Sequence, residues 1–158
     1  MYLLDTVVLS ELRKSRRRRN PRVVSWIASV SPLDLFVSTV SIGEIERGIE
    51  RQRETNPGFA GELAEWLDVV LGAYGDRVLP VTVGIARRWG RLSARIGNKG
   101  LDLAIAATAL EHGLTVVTRN VSDCAATGAA TFDPFVARPR PSPAESRLRP
   151  TEGRRKRP

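Results

Sequence analysis

The stretch Leu101–Glu111 constrains this chain more than any other. Leu101, Leu103, Ala104, Ile105, Ala106, Ala107, Ala109 and Leu110 leave almost no polar face on a helix of that length. An amphipathic helix can lie on a surface, but one apolar nearly all round has to be enclosed. Gly113 follows it as a C-terminal cap. Leu114–Thr118 then reads Leu-Thr-Val-Val-Thr, the pattern of a buried strand in a parallel sheet. A central helix leading straight into such a strand points to an α/β architecture.

The rest of the chain agrees. Strand-like runs occur at Tyr2–Leu4, Leu35–Val40 and Arg77–Pro80. Between them, apolar residues recur at helical spacing over Val7–Lys14, Arg22–Val30, Ile42–Arg53 and Val83–Ile96. A further long helix runs from Asn56-Pro57-Gly58 to about Ala73. Alternation of this kind predicts a single α/β domain, a mainly parallel central sheet flanked by helices as an α/β/α sandwich. There is no internal repeat.

The chain has 158 residues, enough for one such domain and too few for two. Its net charge of +8 is uneven. Residues 136–158 carry eight Arg or Lys against two Glu, and residues 1–135 have a net charge of only +2. The terminal segment is rich in Pro, Arg and Ser and poor in large apolar residues. It cannot bury enough surface to offset ordering entropy, so we expect a folded domain over 1–135 and a disordered basic tail over 136–158. Basic tails favour anionic partners such as nucleic acid, and many are simply solvated.

No apolar run approaches the ~18 residues of a membrane span. The start has no basic region ahead of its apolar residues and does not read as a secretory signal. One cysteine, Cys124, excludes an internal disulfide, and with one histidine, His112, it excludes a Cys/His zinc cluster. A soluble protein of the reducing cytoplasm is the expectation.

Four acids occupy corresponding places. Asp5 follows the first strand, Glu44 falls in the first turn of the helix after the second, and Asp102 opens the apolar helix. Asp123 lies a few residues beyond Leu114–Thr118. In an open parallel sheet the C-terminal ends of the strands share one edge, where ligands bind. Acids at strand exits and helix starts along that edge can converge. Clustered carboxylate oxygens suit Mg²⁺ or Mn²⁺. Such ions activate water and neutralise a phosphodiester during in-line attack. Each acid also has a plainer reading: Asp5, Asp102 and Asp123 are possible N-caps, and Ser41-Ile42-Gly43-Glu44 matches a capping box.

Several stretches carry more specific information. LLDTVVLSEL, VSTVSIGEIERGI, ARRWGRLSARI and LDLAIAATALEHGLTVVTRNVSDCAATGA follow one another in order, closed by Asp133-Pro134-Phe135. Together they resemble the acidic motifs of the PIN-domain family, in particular the VapC/FitB-like toxin ribonucleases of type II toxin–antitoxin systems, over about residues 2–135. The resemblance implies a Mg²⁺- or Mn²⁺-dependent endoribonuclease, a VapB-like antitoxin partner, an RNA substrate and a homodimer. It places Asp5, Glu44, Asp102 and Asp123 in the catalytic pocket, with Asp5, Asp102 and Asp123 on the metal. It sets Thr6 and Thr118 beside them, as hydroxyls that orient acids or water. Val7 stands where the family's first motif carries Asn. The loop Gly97–Leu101 is shorter than the family's and lacks its proline, and Cys124 replaces a usual Phe.

Other residues read as scaffold. Trp26, Trp66 and Trp89 lie at helical positions beside apolar neighbours, which suits core or dimer packing. His112 beside Gly113 suits a helix C-terminus. Cys124 has no histidine partner in its motif, so a thiol nucleophile is not expected. Arg16–Arg19 belong to an exposed connection closed by Asn20-Pro21. Arg119, next to the fourth acidic motif, is a candidate for phosphate binding, because guanidinium geometry matches phosphate oxygens. Two other functions are compatible with part of the pattern. One is a catalytically weak module that binds antitoxin or RNA without efficient cleavage. The other is an aspartyl phosphotransferase, but that chemistry commonly uses an acid two residues after the nucleophile, and position 7 is Val.

Overall fold

Leu3 and Leu4 are adjacent, both fully buried, and point into different cores. They lie on the first strand of a sheet covered on both sides. The computed structural model describes residues 1–136. The expected disorder of the basic segment concerns residues outside that range, apart from the exposed Val136.

The sheet has five strands: β1 (Tyr2–Leu4), β2 (Leu35–Ser38), β3 (Val78–Leu79), β4 (Thr115–Val117) and β5 (Thr131–Phe132). Their order is β3-β2-β1-β4-β5 and every pairing is parallel. The helices are α1 (Thr6–Arg13), α2 (Pro21–Ala28), α3 (Thr39–Thr55), α4 (Pro57–Tyr74), α5 (Val83–Ile96), α6 (Asp102–His112) and α7 (Val121–Ala125). Leu4, Leu35, Val37 and Val117 face a core shared with residues of α1–α4. Leu3 and Val116 face a second core built on Ile105, Ala106 and Ala109 of α6, with Cys124 of α7. Helix α5 packs on α6 through Ile85, Leu92 and Ala107. This is the α/β/α sandwich that the sequence predicts.

Helix α6 is buried from Leu103 to Ala109, as its all-round apolar character requires. It ends at Gly113, whose φ of +63° is left-handed. Trp26 packs edge-on against Tyr2 with ring centres 5.3 Å apart, and Trp66 and Trp89 are partly buried against the cores.

Two local expectations are corrected. The strand expected over Leu35–Val40 stops at Ser38, whose side chain accepts from the Val40 amide and caps α3. The helix therefore begins at Thr39, before the expected Ile42. Glu44 falls in its second turn, and Ser41-Ile42-Gly43-Glu44 is not a capping box. Ser41 is instead fully buried. In addition, β5 was not expected from the sequence.

Candidate active site

The four parallel pairings align all strand exits on one edge, and the site is built there. Asp5 continues β1, its amide donating to the Val117 carbonyl at 3.1 Å, and then caps α1. Its Oδ1 accepts from the Thr6 amide at 2.7 Å, and its Oδ2 from the Thr118 hydroxyl at 2.6 Å. The Thr6 hydroxyl donates to Glu44 Oε2 at 2.5 Å. Thr6 thus links Asp5 to Glu44.

Asp102 is the first residue of α6, which has no side-chain cap. The N-cap alternative is therefore realised at Asp5 and not at Asp102. Asp102 Oδ2 accepts from Asn120 Nδ2 at 2.9 Å, and the Asn120 amide donates to Thr118 Oγ1 at 2.9 Å. One short turn after β4, Thr118-Arg119-Asn120, therefore holds both Asp5 and Asp102. Asn120 was not singled out from sequence. The only local sign is a hydroxyl followed two residues later by an amide at a strand exit, a common turn pattern.

Charge is concentrated here. Burial raises the Asp5 pKa above its ordinary 3.8, the hydrogen bonds from Thr118 and Thr6 oppose this, and the charges of Asp102 and Glu44 add to it. Asp123 is on α7, half-exposed, 3.4 Å from Lys99 Nζ, and is not a cap. The Asn120 side chain and Lys99 together hold its carboxyl below the ordinary range. Cys124 lies among the acids: burial first, then the charges of Asp5, Asp102 and Asp123, push its thiol up to about 12. Such a thiol stays protonated and is no nucleophile.

Asp5, Glu44 and Asp102 are thus coupled, and Asp123 borders them. Among the described residues no three Asp, Glu, His or Cys groups converge closely enough to hold one ion together. Mg²⁺ is ordinarily bound by one or two carboxylates and completes its shell with water and substrate phosphate. The hard oxygens of Asp5 and Asp102, each already oriented by a hydrogen bond, fit that requirement.

The site adjoins a cleft of about 260 Å³ whose lining includes Thr6 and Glu44 at one end and Phe59, Leu63 and Trp66 beyond. Val7 is partly buried against the first core. Arg119, expected near phosphate, has its guanidinium 4.0 Å from the centre of the Phe135 ring. Of the Arg16–Arg19 connection, Arg16, Arg17 and Arg18 are exposed as expected, while Arg19 is partly buried and donates to the Lys14 carbonyl at 2.7 Å.

The profile of the PIN domain matches residues 2–122, which include Asp5, Glu44 and Asp102. The chain belongs to the PIN-domain family. Within it, this PIN domain is 32% identical to the toxin FitB of Neisseria gonorrhoeae over 85% of the chain and 99% of that protein. It is likewise 32% identical to a VapC ribonuclease of Sinorhizobium fredii, over 85% of the chain and 98% of the relative. The solved structure of FitAcB from Neisseria gonorrhoeae superposes with a TM-score of 0.75 at 31% identity, covering 85% of this chain and 99% of that one. Among the described residues no helix is long and apolar enough to cross a membrane.

Proposed function

We propose that this PIN domain is the toxin of a VapBC-type toxin–antitoxin pair, an endoribonuclease dependent on Mg²⁺ or Mn²⁺. The observation that carries this reading is the coupling of Asp5, Glu44 and Asp102 at the strand exits. Asp5 sits at a raised pKa, and among the described residues no cationic side chain is one of the groups that shift it. A fold bears such a cost where charge is to be used. The names of FitB and of the VapC ribonuclease support the same reading.

In this reading Asp5 and Asp102 hold the cation, with Asp123 at its border. A bound Mg²⁺ or Mn²⁺ would neutralise charge on the phosphodiester and make water a better nucleophile. The chain's own part is orientation. Thr118 fixes Asp5, Asn120 fixes Asp102, and Thr6 fixes Glu44. Hydrolysis then adds water across one P–O bond of the RNA. The antitoxin covers or enters the negatively charged pocket, placing an Arg or Lys near the carboxylates in the cation's stead. The functional unit is a homodimer of the cytoplasm.

The test is cleavage of structured RNAs by the full chain with Mg²⁺ or Mn²⁺, with and without EDTA. Metal-dependent cleavage that EDTA stops is the expected result. RNA binding without cleavage would favour the weak binding module. Crosslinks from a co-purified antitoxin should reach residues around Asp5 and Asp102, and light scattering should give the mass of two chains.

A further inference from the structure

Arg119 is the middle residue of the turn that holds Asp5 and Asp102, yet its side chain is anchored on a different part of the molecule. Its guanidinium lies on Phe135. Phe135 is itself buried and held at two points. Its amide donates to Asp133 Oδ1 at 2.7 Å, and its carbonyl accepts from Arg22 Nη1 at 3.1 Å. The amide of Arg22 donates to Asn20 Oδ1 at 2.9 Å, and the amide of Asn20 to Glu11 Oε1 at 2.6 Å. Glu11 is buried, bonded to Lys14 through its other oxygen, and close enough to Arg119 to feel its charge. The contacts form a chain, from Glu11 through Asn20, Arg22 and Phe135 to Arg119.

This chain of contacts has a consequence for the turn. Arg119 is exposed and belongs to a short segment between β4 and α7. Its neighbours Thr118 and Asn120 are held by their own hydrogen bonds, and Arg119 is the exposed residue between them. Here the side chains on either side make the bonds to the acids, the Thr118 hydroxyl to Asp5 and the Asn120 amide group to Asp102. Fixing the middle residue fixes both.

We propose that Arg119 is a positioning residue: stacked on Phe135, it locks the Thr118–Asn120 turn that aims Asp5 and Asp102, and so sets their affinity for a divalent cation. This rests on the nuclease reading above. It also gives the closing Asp133-Pro134-Phe135 a task, to present the aromatic face on which the turn is anchored. Groups that orient metal-binding carboxylates commonly change metal affinity by about 10- to 100-fold when removed.

The test uses the full chain and two readouts that need no RNA. One is Mn²⁺ binding, followed by the spin-resonance signal of the free ion. The other is hydrogen exchange of the Asn120 amide. Arg119→Ala and Phe135→Leu should each weaken Mn²⁺ binding about tenfold or more and speed exchange at Asn120. Phe135→Tyr keeps the ring and should rescue both. On RNA, kcat should fall with KM little changed. Raised KM in Arg119→Ala, with Mn²⁺ affinity and Asn120 exchange intact, would overturn the proposal and make Arg119 a phosphate contact. Phe135→Leu with both readouts unchanged would overturn it too. If Phe135→Leu fails to fold, Arg119→Ala decides, since that residue is exposed. A wild type that neither binds Mn²⁺ nor cleaves RNA removes the nuclease reading, and Asn120 exchange alone then decides whether Arg119 holds the turn.

Discussion

Helix α1 has a carboxylate near each end, and the two are treated in opposite ways. Asp5 caps the N-terminus and has two other carboxylates for electrostatic neighbours, and its pKa is raised. Glu11, in the last turn, is buried as deeply as a core residue, but Lys14, the Asn20 amide and Arg119 favour its charge, and its pKa is lowered. Asp5 is partly buried and Glu11 buried, at opposite ends of one short helix. What separates them is whether cations were placed around them. The Glu11 end uses its charge to hold the chain segment 14–20 to the domain. At the Asp5 end, among the described residues, no cation is among the groups that shift the pKa.

The largest expected effect lies at the unmatched end. Asp5→Asn and Asp102→Asn should each lower RNA cleavage by about 100-fold or more, the scale on which removing one electrostatic group acts. Stability should move the other way. An acid whose folded pKa is raised above 3.8 destabilises the fold at pH values above that folded pKa, and the penalty disappears as pH falls toward 3.8. Asp5→Asn should therefore melt above wild type at pH 7, with the gap closing in acid. Asn still serves as a cap, so capping alone predicts no loss of cleavage. Full activity in either variant would break the contrast between the two ends.

Glu11→Ala should do the reverse. It strips a buried acceptor from the Asn20 amide and should cost about 1–3 kcal/mol by urea unfolding. Lys14 is 44% exposed, so little of that loss comes from the ion pair itself. The sign with pH is also opposite. Glu11's contribution is present above its unfolded value of 4.5 and is lost as pH falls through the lowered folded value.

How far the sequence foretells these environments depends on distance along the chain. The sheet, the central helix and the strand-exit acids follow from local patterns: an almost wholly apolar helix at Leu101–Glu111, a Leu-Thr-Val-Val-Thr run after it and an acid just past Leu4. The start of α3 does not, because Ser38-Thr39-Val40 has strand composition while the Ser38 side chain already caps a helix. Strand β5 has two residues, too few to show any period. The partners of the acids were hidden for another reason. Asn120 reaches Asp102 across 18 positions, a contact that exists only once α6 packs beside β4, and Arg119 reaches Phe135 only once β5 has paired with β4.

Ser41 separates burial from charge. Its hydroxyl is fully buried on α3 and has no hydrogen-bond partner among the described residues. If burying an unmatched polar group is costly without any charge, Ser41→Ala should stabilise the protein by about 1 kcal/mol, helped slightly by the better helix propensity of Ala. A loss of stability would show that the buried Ser41 hydroxyl is not a cost to the fold.

Lys99 and Asp123 supply the complementary case, a matched pair without burial. Lys99 lies in the loop between Gly97 and Gly100, both at positive φ, and its ammonium is 3.4 Å from Asp123. Both side chains are well exposed, at 47% and 34%. Water already solvates such charges, holding the long Lys side chain in place costs entropy, and salt screens what attraction is left. Lys99→Ala should therefore shift the melting temperature by no more than about 2 °C, and the shift should vanish in 0.5 M salt, a concentration of about the scale at which exposed pairs are fully screened. Glu11→Ala, by contrast, should keep most of its effect in the same salt, because its acceptor is buried. If Lys99→Ala proved as damaging as Glu11→Ala, pairing alone, without burial, would account for the stability at the Glu11 end, and the depth of Glu11 in the core would be incidental.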